Sequence, residues 1–359
     1  MTEPPAFPEP RADLTGLEGY HSAQVVSVPV RLNTNESAYA PPEAFVAALA
    51  DAVRATPFHR YPDRAASELR AATARFHGQP PERVFCANGS NEVLQTLLLA
   101  YGGPGRRAAL FRPTYLLHDH IARITGTEVV AGERRADFTL DLDEVRSVLT
   151  ATNPHITFLC TPNNPTGVVE AREVVEVVID AAPGLVIIDE AYGEFAPWSA
   201  LEFVSDDRPV VVVRTFSKVW SLAGLRLGCC IAPPRVVADL EKVALPYHLS
   251  ALTQAAGRLA LDFADEMRGR VDAIVRERER VHTALAGTDG VTVWPSGANF
   301  LLFRTERDAK QVWQGLVDGG VLVRDASSWP GLAGCLRVTI GTPEENDAFL
   351  VALKEVLAA

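Results

Sequence analysis

Short, nearly continuous apolar runs separated by amphipathic stretches dominate residues 84 to 231. Val84 to Ala87, Ala108 to Phe111, Glu128 to Ala131, Ile156 to Cys160, Leu185 to Ile188, Val210 to Val213 and Leu227 to Ile231 read as strands. Ser90 to Tyr101, Thr114 to Gly126 and Ala171 to Ala182 read as helices between them. Strands without polar alternation are buried on both faces. This predicts an α/β fold with a mostly parallel central sheet sandwiched by helices. Upstream, Ala44 to Ala55 and Ala65 to Phe76 read as helices, and Val25 to Leu32 as the one strand of a proline-rich arm.

From about Leu249 the pattern changes. A long helix is expected to run to about Ala286. Strands follow at Val291 to Trp294, Asn299 to Arg304, Val321 to Arg324 and Cys335 to Ile340, with helices near Asp308 to Asp318 and after Pro343. The expected organisation is an arm over 1–35, a large domain over 36–245 and a smaller α+β C-terminal domain over 246–359, with which the arm packs. For 359 residues, one large and one small unit is a natural division.

Composition narrows the function classes. A net charge of -11 argues against non-specific binding to nucleic acid or an anionic membrane surface. No apolar run of membrane-spanning length occurs, and Met1 to Pro10 lacks the basic start and apolar stretch of a secretory signal. The five cysteines, Cys86, Cys160, Cys229, Cys230 and Cys335, form no CxxC pair and read as buried free thiols of a cytoplasmic protein.

The chemistry centres on Lys218, which follows the strand Val210 to Val213 in Arg214-Thr215-Phe216-Ser217-Lys218, with Arg226 eight residues on. An amine beside a hydroxyl and an arginine suits a Schiff base to an aldehyde cofactor whose phosphate Ser217 and Arg226 hold. Gly89-Ser90-Asn91-Glu92 opens an apolar helix after a strand; its free N–H groups suit a phosphate, and the same residues also read as a plain helix cap. Asp189 ends a central strand, where open α/β sheets bind ligands, and could pair with a protonated ring nitrogen. A metal site there lacks histidine or cysteine partners. Cys160 to Gly167 forms a turn at the same sheet edge.

With these segments in view, the chain resembles the histidinol-phosphate aminotransferases, fold-type I enzymes that use pyridoxal 5'-phosphate. The resemblance spans about Arg11 to Leu357. It is carried by Asn33-Thr34-Asn35-Glu36, Tyr61-Pro62-Asp63, Asn88 to Glu92, Pro113-Thr114-Tyr115, Pro162 to Gly167, Asp189-Glu190-Ala191-Tyr192, Thr215 to Lys218, Leu222 to Arg226 and Leu336 to Thr342. It implies that Lys218 bonds the cofactor and moves the proton, with Asp189 on the ring nitrogen. Tyr192 and Asn164 then reach the ring oxygen, and Tyr115 stacks on the ring. Ser90, Asn91, Ser217 and Arg226 hold the phosphate, and Tyr61 reaches across from a partner subunit, which makes the unit a homodimer with shared active sites. Arg337 takes the amino donor's α-carboxylate. Arg324, Tyr20 and Asn35 shape the substrate end, with Arg324 as the candidate for a substrate phosphate; by itself Arg324 reads as a solvated charge at a strand end.

The implied reaction passes an amino group between glutamate and imidazole acetol phosphate. Departures from the family pattern fall at Gly16 to His21, Ser37-Ala38 and Val219-Trp220. They border the substrate and bear on specificity, although Trp220 also reads as core. The alternatives are an aromatic (phenylalanine-type) aminotransferase, a decarboxylase of phosphorylated amino acids, and a non-catalytic binding protein on the same fold.

Overall fold

The structure is a computed structural model that describes residues 26–358 together with 9–11, 14, 16, 17 and 19. The described chain runs through β1 (Val30–Leu32), α1 (Glu43–Ala55), α2 (Ser67–Phe76), β2 (Val84–Ala87), α3 (Gly89–Tyr101), β3 (Arg107–Arg112), α4 (Leu116–Ile124) and β4 (Glu128–Glu133). Next come α5 (Leu142–Thr152), β5 (Ile156–Cys160), α6 (Arg172–Ala181), β6 (Leu185–Asp189), β7 (Val210–Thr215), β8 (Gly228–Ile231) and α7 (Pro234–Val243). The last third holds α8 (Ala251–Ala260), α9 (Ala264–Ala286), β9 (Val291–Val293), β10 (Phe300–Thr305), α10 (Ala309–Asp318), β11 (Val321–Asp325), β12 (Cys335–Thr339) and α11 (Pro343–Ala358).

Two sheets result. The larger has seven strands in the order β2-β8-β7-β6-β5-β3-β4. All its pairings are parallel except those of β8, which runs antiparallel to both neighbours. Its centre is dry: Val210, Val211, Val212 and Val213 are all fully buried, alternating between two apolar clusters on opposite faces. Fully burying a valine stabilises by about 1.5–3 kcal/mol, so these runs fix the sheet's centre. The smaller sheet has the order β1-β11-β12-β10-β9, and the arm strand β1 joins it parallel to β11.

Several boundaries differ from the sequence expectation. Of Val25 to Leu32, only Val30–Leu32 pairs as strand among the described residues. The second helix begins at Ser67, because Ala66 is left-handed at φ 48° and the Asp63 carboxylate accepts from the Ser67 N–H at 2.7 Å. The fourth begins at Leu116, with Tyr115 still extended. The expected helix from Leu249 is two, α8 and α9, separated by a tighter turn over Leu261–Phe263. Helices α5 and α7 were not anticipated. Trp220 is core: it packs edge-on against Phe76 and tilted on Phe216.

Candidate active site

The sheet topology collects the chemistry at one edge. Parallel strands β3, β5, β6 and β7 end there, delivering Tyr115, Asn164, Asp189 with Tyr192, and Ser217 with Lys218. Strand β8 starts there, with Gly228 opposite both Ala87 and Thr215. Arg226, just before β8, therefore meets Ser90, just after β2. The smaller sheet closes the far side with Arg324 and Arg337. These residues, with Asn33, Asn35 and Glu36 among others, line one cavity of about 390 Å³.

Lys218 is one of four lysines in the chain; the other three, Lys242, Lys310 and Lys354, are exposed on helices. The Lys218 side chain is half-buried by area, but its amine is enclosed by the cavity walls and donates to the Thr34 carbonyl at 3.1 Å. Desolvation, with Arg337 and Arg226 nearby, pulls its pKa down to about 8, opposed by Glu36. An amine so placed is neutral far more often at physiological pH than an exposed lysine.

Asp189 is 2% exposed. Its Oδ1 accepts from the Ala191 N–H at 3.0 Å, and its Oδ2 lies 2.9 Å from His118 Nε2. His118 stacks flat on Phe158 at 4.6 Å, and its Nδ1 has no partner. The imidazole thus uses Nε2–H to donate, and Asp189 stands as the acceptor.

The phosphate-sized end is built on the N-terminus of α3. This 13-residue helix begins at Gly89, and its N-cap, Asn88, makes no side-chain cap. Ser90 and Asn91 are not caps, contrary to one reading of the sequence. They sit in the first helical turn, which leaves backbone N–H groups for a ligand. Gly89 adopts φ +80°, and a Cβ there would lie 2.7 Å from Arg226 Nη2. A Cβ at Gly228 would lie 2.2 Å from the Ser90 nitrogen. Two glycines thus let an arginine and a helix start converge. Arg226 Nη1 donates to the Ala223 carbonyl at 3.1 Å and reaches Ser217 Oγ at 3.4 Å; Thr215 Oγ1 in turn binds both the N–H and the hydroxyl of Ser217.

A chain of hydrogen bonds ties the substrate end to Tyr192. Arg337 is 5% exposed and donates to Asn164 Oδ1 at 2.6 Å and the Asn33 carbonyl at 3.0 Å. Asn164 Nδ2 reaches Tyr192 Oη at 3.5 Å, and Asn35 Nδ2 donates to the same oxygen at 2.9 Å. Burial pushes the Tyr192 phenol up to about 12. Asn35 also exchanges bonds with Thr339, so its side chain braces Tyr192 and the arm. Tyr115 lines the cavity, with its hydroxyl 3.5 Å from Asn91 Oδ1.

Two expected residues stand apart from this cavity's described lining. Tyr20 lies outside the described residues. Tyr61 is absent from its own chain's cavity: it is 81% exposed and stacks on Tyr247 at 4.6 Å. Sequence reasoning missed His118, whose role depends on a carboxylate 71 positions away, and Trp329, which sits in the cavity wall beside Arg324. The only local hint for His118 was its place three residues after Tyr115 on an apolar helix face.

An amine for an aldehyde, a buried carboxylate for a protonated ring nitrogen and an uncapped helix start with an arginine for a phosphate fit pyridoxal 5'-phosphate. The fold and this donor set define a fold-type I pyridoxal-phosphate transferase. Residues 27–353 match the family Aminotransferase class I and II. The chain is 45% identical to the histidinol-phosphate aminotransferase of Mycobacterium avium (strain 104), covering 100% of this chain and 93% of that protein. It is 46% identical to the one of Rhodococcus opacus (strain B4), covering 97% and 93%. The crystal structure of histidinol-phosphate aminotransferase from Sinorhizobium meliloti in complex with pyridoxal-5'-phosphate superposes with a TM-score of 0.89 at 26% identity, covering 98% of both chains. The chain belongs to the class I and II aminotransferases and, among them, to the histidinol-phosphate aminotransferase family.

Proposed function

We propose that this pyridoxal-phosphate-dependent aminotransferase passes the amino group of glutamate to imidazole acetol phosphate, giving 2-oxoglutarate and histidinol phosphate in histidine biosynthesis. The observation that carries this reading is the pair of guanidiniums, Arg324 and Arg337, facing the Lys218 cavity from directly opposed positions on β11 and β12. Two anionic groups of different shape then share one pocket: a carboxylate on Arg337 and a phosphate on Arg324.

Bound pyridoxal phosphate supplies an aldehyde for the substrate amine and a ring that takes up the electron pair left at the α-carbon. Lys218 Nζ would accept the α-proton and, as the ammonium, return it at the carbon that was the cofactor's aldehyde, across the nitrogen from the α-carbon. Asp189 keeps a proton on the ring nitrogen. Tyr192 and Asn164 meet the ring oxygen, and Tyr115 covers the ring face. Ser90, Asn91, Ser217 and Arg226 hold the phosphate with the N-terminus of α3. Arg337 orients the α-carboxylate, and its bond to Asn164 couples that orientation to the ring.

A half-reaction panel tests the substrate. The aminated enzyme is mixed with imidazole acetol phosphate and with phenylpyruvate, and return of the aldehyde form is followed. The phosphate ester is expected to react with the higher kcat/KM; a preference for phenylpyruvate would instead mark an aromatic aminotransferase. In the other half-reaction, Arg337→Gln is expected to raise the KM for glutamate by about 10²-fold, the loss of a charge-assisted fork worth roughly 1.5–3 kcal/mol. An unchanged KM would remove Arg337 from the carboxylate site.

The working unit in this reading is a homodimer in which Tyr61 serves the partner's site. Support comes from the exposed apolar surface around it: Phe58, Tyr61, Leu245 at 76% exposure and Tyr247. Sedimentation equilibrium is expected to return twice the 38.8 kDa chain mass; a monomer at micromolar concentration counts against it.

A further inference from the structure

We propose that Trp329 sets the preference for a phosphorylated amino acceptor, by holding the Arg324 guanidinium over its indole so that the N–H donors stay available to the substrate. The inference deepens the functional reading above and rests on its assignment of Arg324 to the substrate phosphate.

Arg324 and Arg337 are register partners in antiparallel strands. Directly opposed side chains lie on the same face of a sheet, so two cations meet on one wall, and like charges so placed repel. Among the described residues Arg324 makes no ion pair and no side-chain hydrogen bond; its marked contact is with Trp329, whose ring centroid lies 5.3 Å from Arg324 Cζ. Arg337 rests in the same manner on Phe300, at 5.2 Å. An aromatic ring attracts the face of a guanidinium and leaves the donors at its edge unspent. A carboxylate in the same place would neutralise Arg324 and occupy those donors.

The turn that carries the indole is itself fixed. The backbone N–H of Trp329 donates to the Ala326 carbonyl at 3.0 Å, its carbonyl accepts from the Leu332 backbone N–H at 3.0 Å, and the side chain packs on the small apolar cluster that includes Ala326 and Leu332. Trp329 lines the central cavity together with Arg324, and on its other side borders a small apolar pocket with Tyr115 and Pro113. It is therefore a half-buried wall on a hydrogen-bonded turn, and a long arginine laid on it has less freedom left to lose when a phosphate binds. Trp329 is a positioning residue: it acts through Arg324.

The test compares Trp329→Leu, Trp329→Phe and Arg324→Gln as holoenzymes, with glutamate as donor and imidazole acetol phosphate or phenylpyruvate as acceptor. Trp329→Leu is expected to raise the KM for the phosphate ester by about two- to thirty-fold, the range of one cation–π contact. The KM values for glutamate and phenylpyruvate are expected to shift far less. Trp329→Phe, which keeps a ring, is expected to restore most of the preference. Arg324→Gln is expected to raise the ester's KM at least as much as Trp329→Leu. If Arg324→Gln raises that KM and Trp329→Leu does not, the role of Trp329 is wrong while the reading of Arg324 stands. If Arg324→Gln has no effect, both fail. If Trp329→Leu raises the KM for all three substrates alike, the residue is merely structural and the proposal is overturned.

Discussion

Lys218→Ala is expected to lower kcat by about 10⁴-fold or more, the upper end of what a positioned acid–base group contributes. No neighbour can substitute, because the other three lysines are exposed on distant helices. Arginine at the same position is expected to fail too, since a guanidinium does not deprotonate in this range. The same substitution has a second signature in the cofactor-free protein. The folded-state pKa of Lys218, about 8, lies below its ordinary 10.5. The native chain therefore binds this proton more weakly than the unfolded chain. Below pH 8 both states carry it, and the native state bears the full penalty of an enclosed ammonium. Between pH 8 and 10.5 the native state loses the proton first, and the penalty fades. Cofactor-free Lys218→Ala is thus expected to melt above the wild type at pH 7, with the gap closing as pH rises past 8. Thermal denaturation of the two proteins across pH 7 to 10 reads this directly. A constant gap would mean the amine is not desolvated, and the case for a poised neutral base would go with it.

Much of the cavity was legible because its residues sit at the ends of strands that the sequence marks plainly. An all-apolar run such as Val210 to Val213 needs cover on both faces, and in a parallel sheet the residues just past such runs share an edge. Lys218, Asp189 and Asn164 follow from that rule. Features that depend on long-range packing were not legible. The register that sets Arg324 against Arg337 is a property of two strands joined by a loop, and neither strand announces it. Whether Ser90 caps a helix or lies inside it depends on Gly89 at φ +80°, a backbone fact. The separation of α8 from α9 at Leu261–Phe263 carries no glycine or proline, so the pattern reads straight through it. Tyr61 shows the limit of a single chain: its segment is recognisable, yet its ring faces outward.

Asp189→Asn is the second substitution with a large expected effect, and its contacts predict how the loss divides. Asparagine keeps the size of the side chain and an acceptor oxygen for either the Ala191 N–H or His118 Nε2. It loses the negative charge. The carboxylate is nearly fully buried, so its field on a ring nitrogen is poorly screened, and its removal acts on the charge that develops in the transition state. kcat is expected to fall by about 10²–10³-fold. The KM for glutamate is expected to move little, since Arg337 itself lies on the other sheet and makes no contact with Asp189. The cofactor is expected to stay bound, because the helix α3 end, Ser217 and Arg226 are untouched. Spectroscopic titration of cofactor binding beside steady-state kinetics separates the two effects. Loss of binding with preserved kcat at saturating cofactor would make Asp189 an anchor only. His118 supplies a further check. Its Nδ1 is buried without a partner and its ring lies against Phe158, so it is built to orient Asp189 through Nε2. His118→Phe, which keeps the stack and deletes the donor, is therefore expected to cost kcat less than Asp189→Asn does: it leaves the charge in place and frees only its aim.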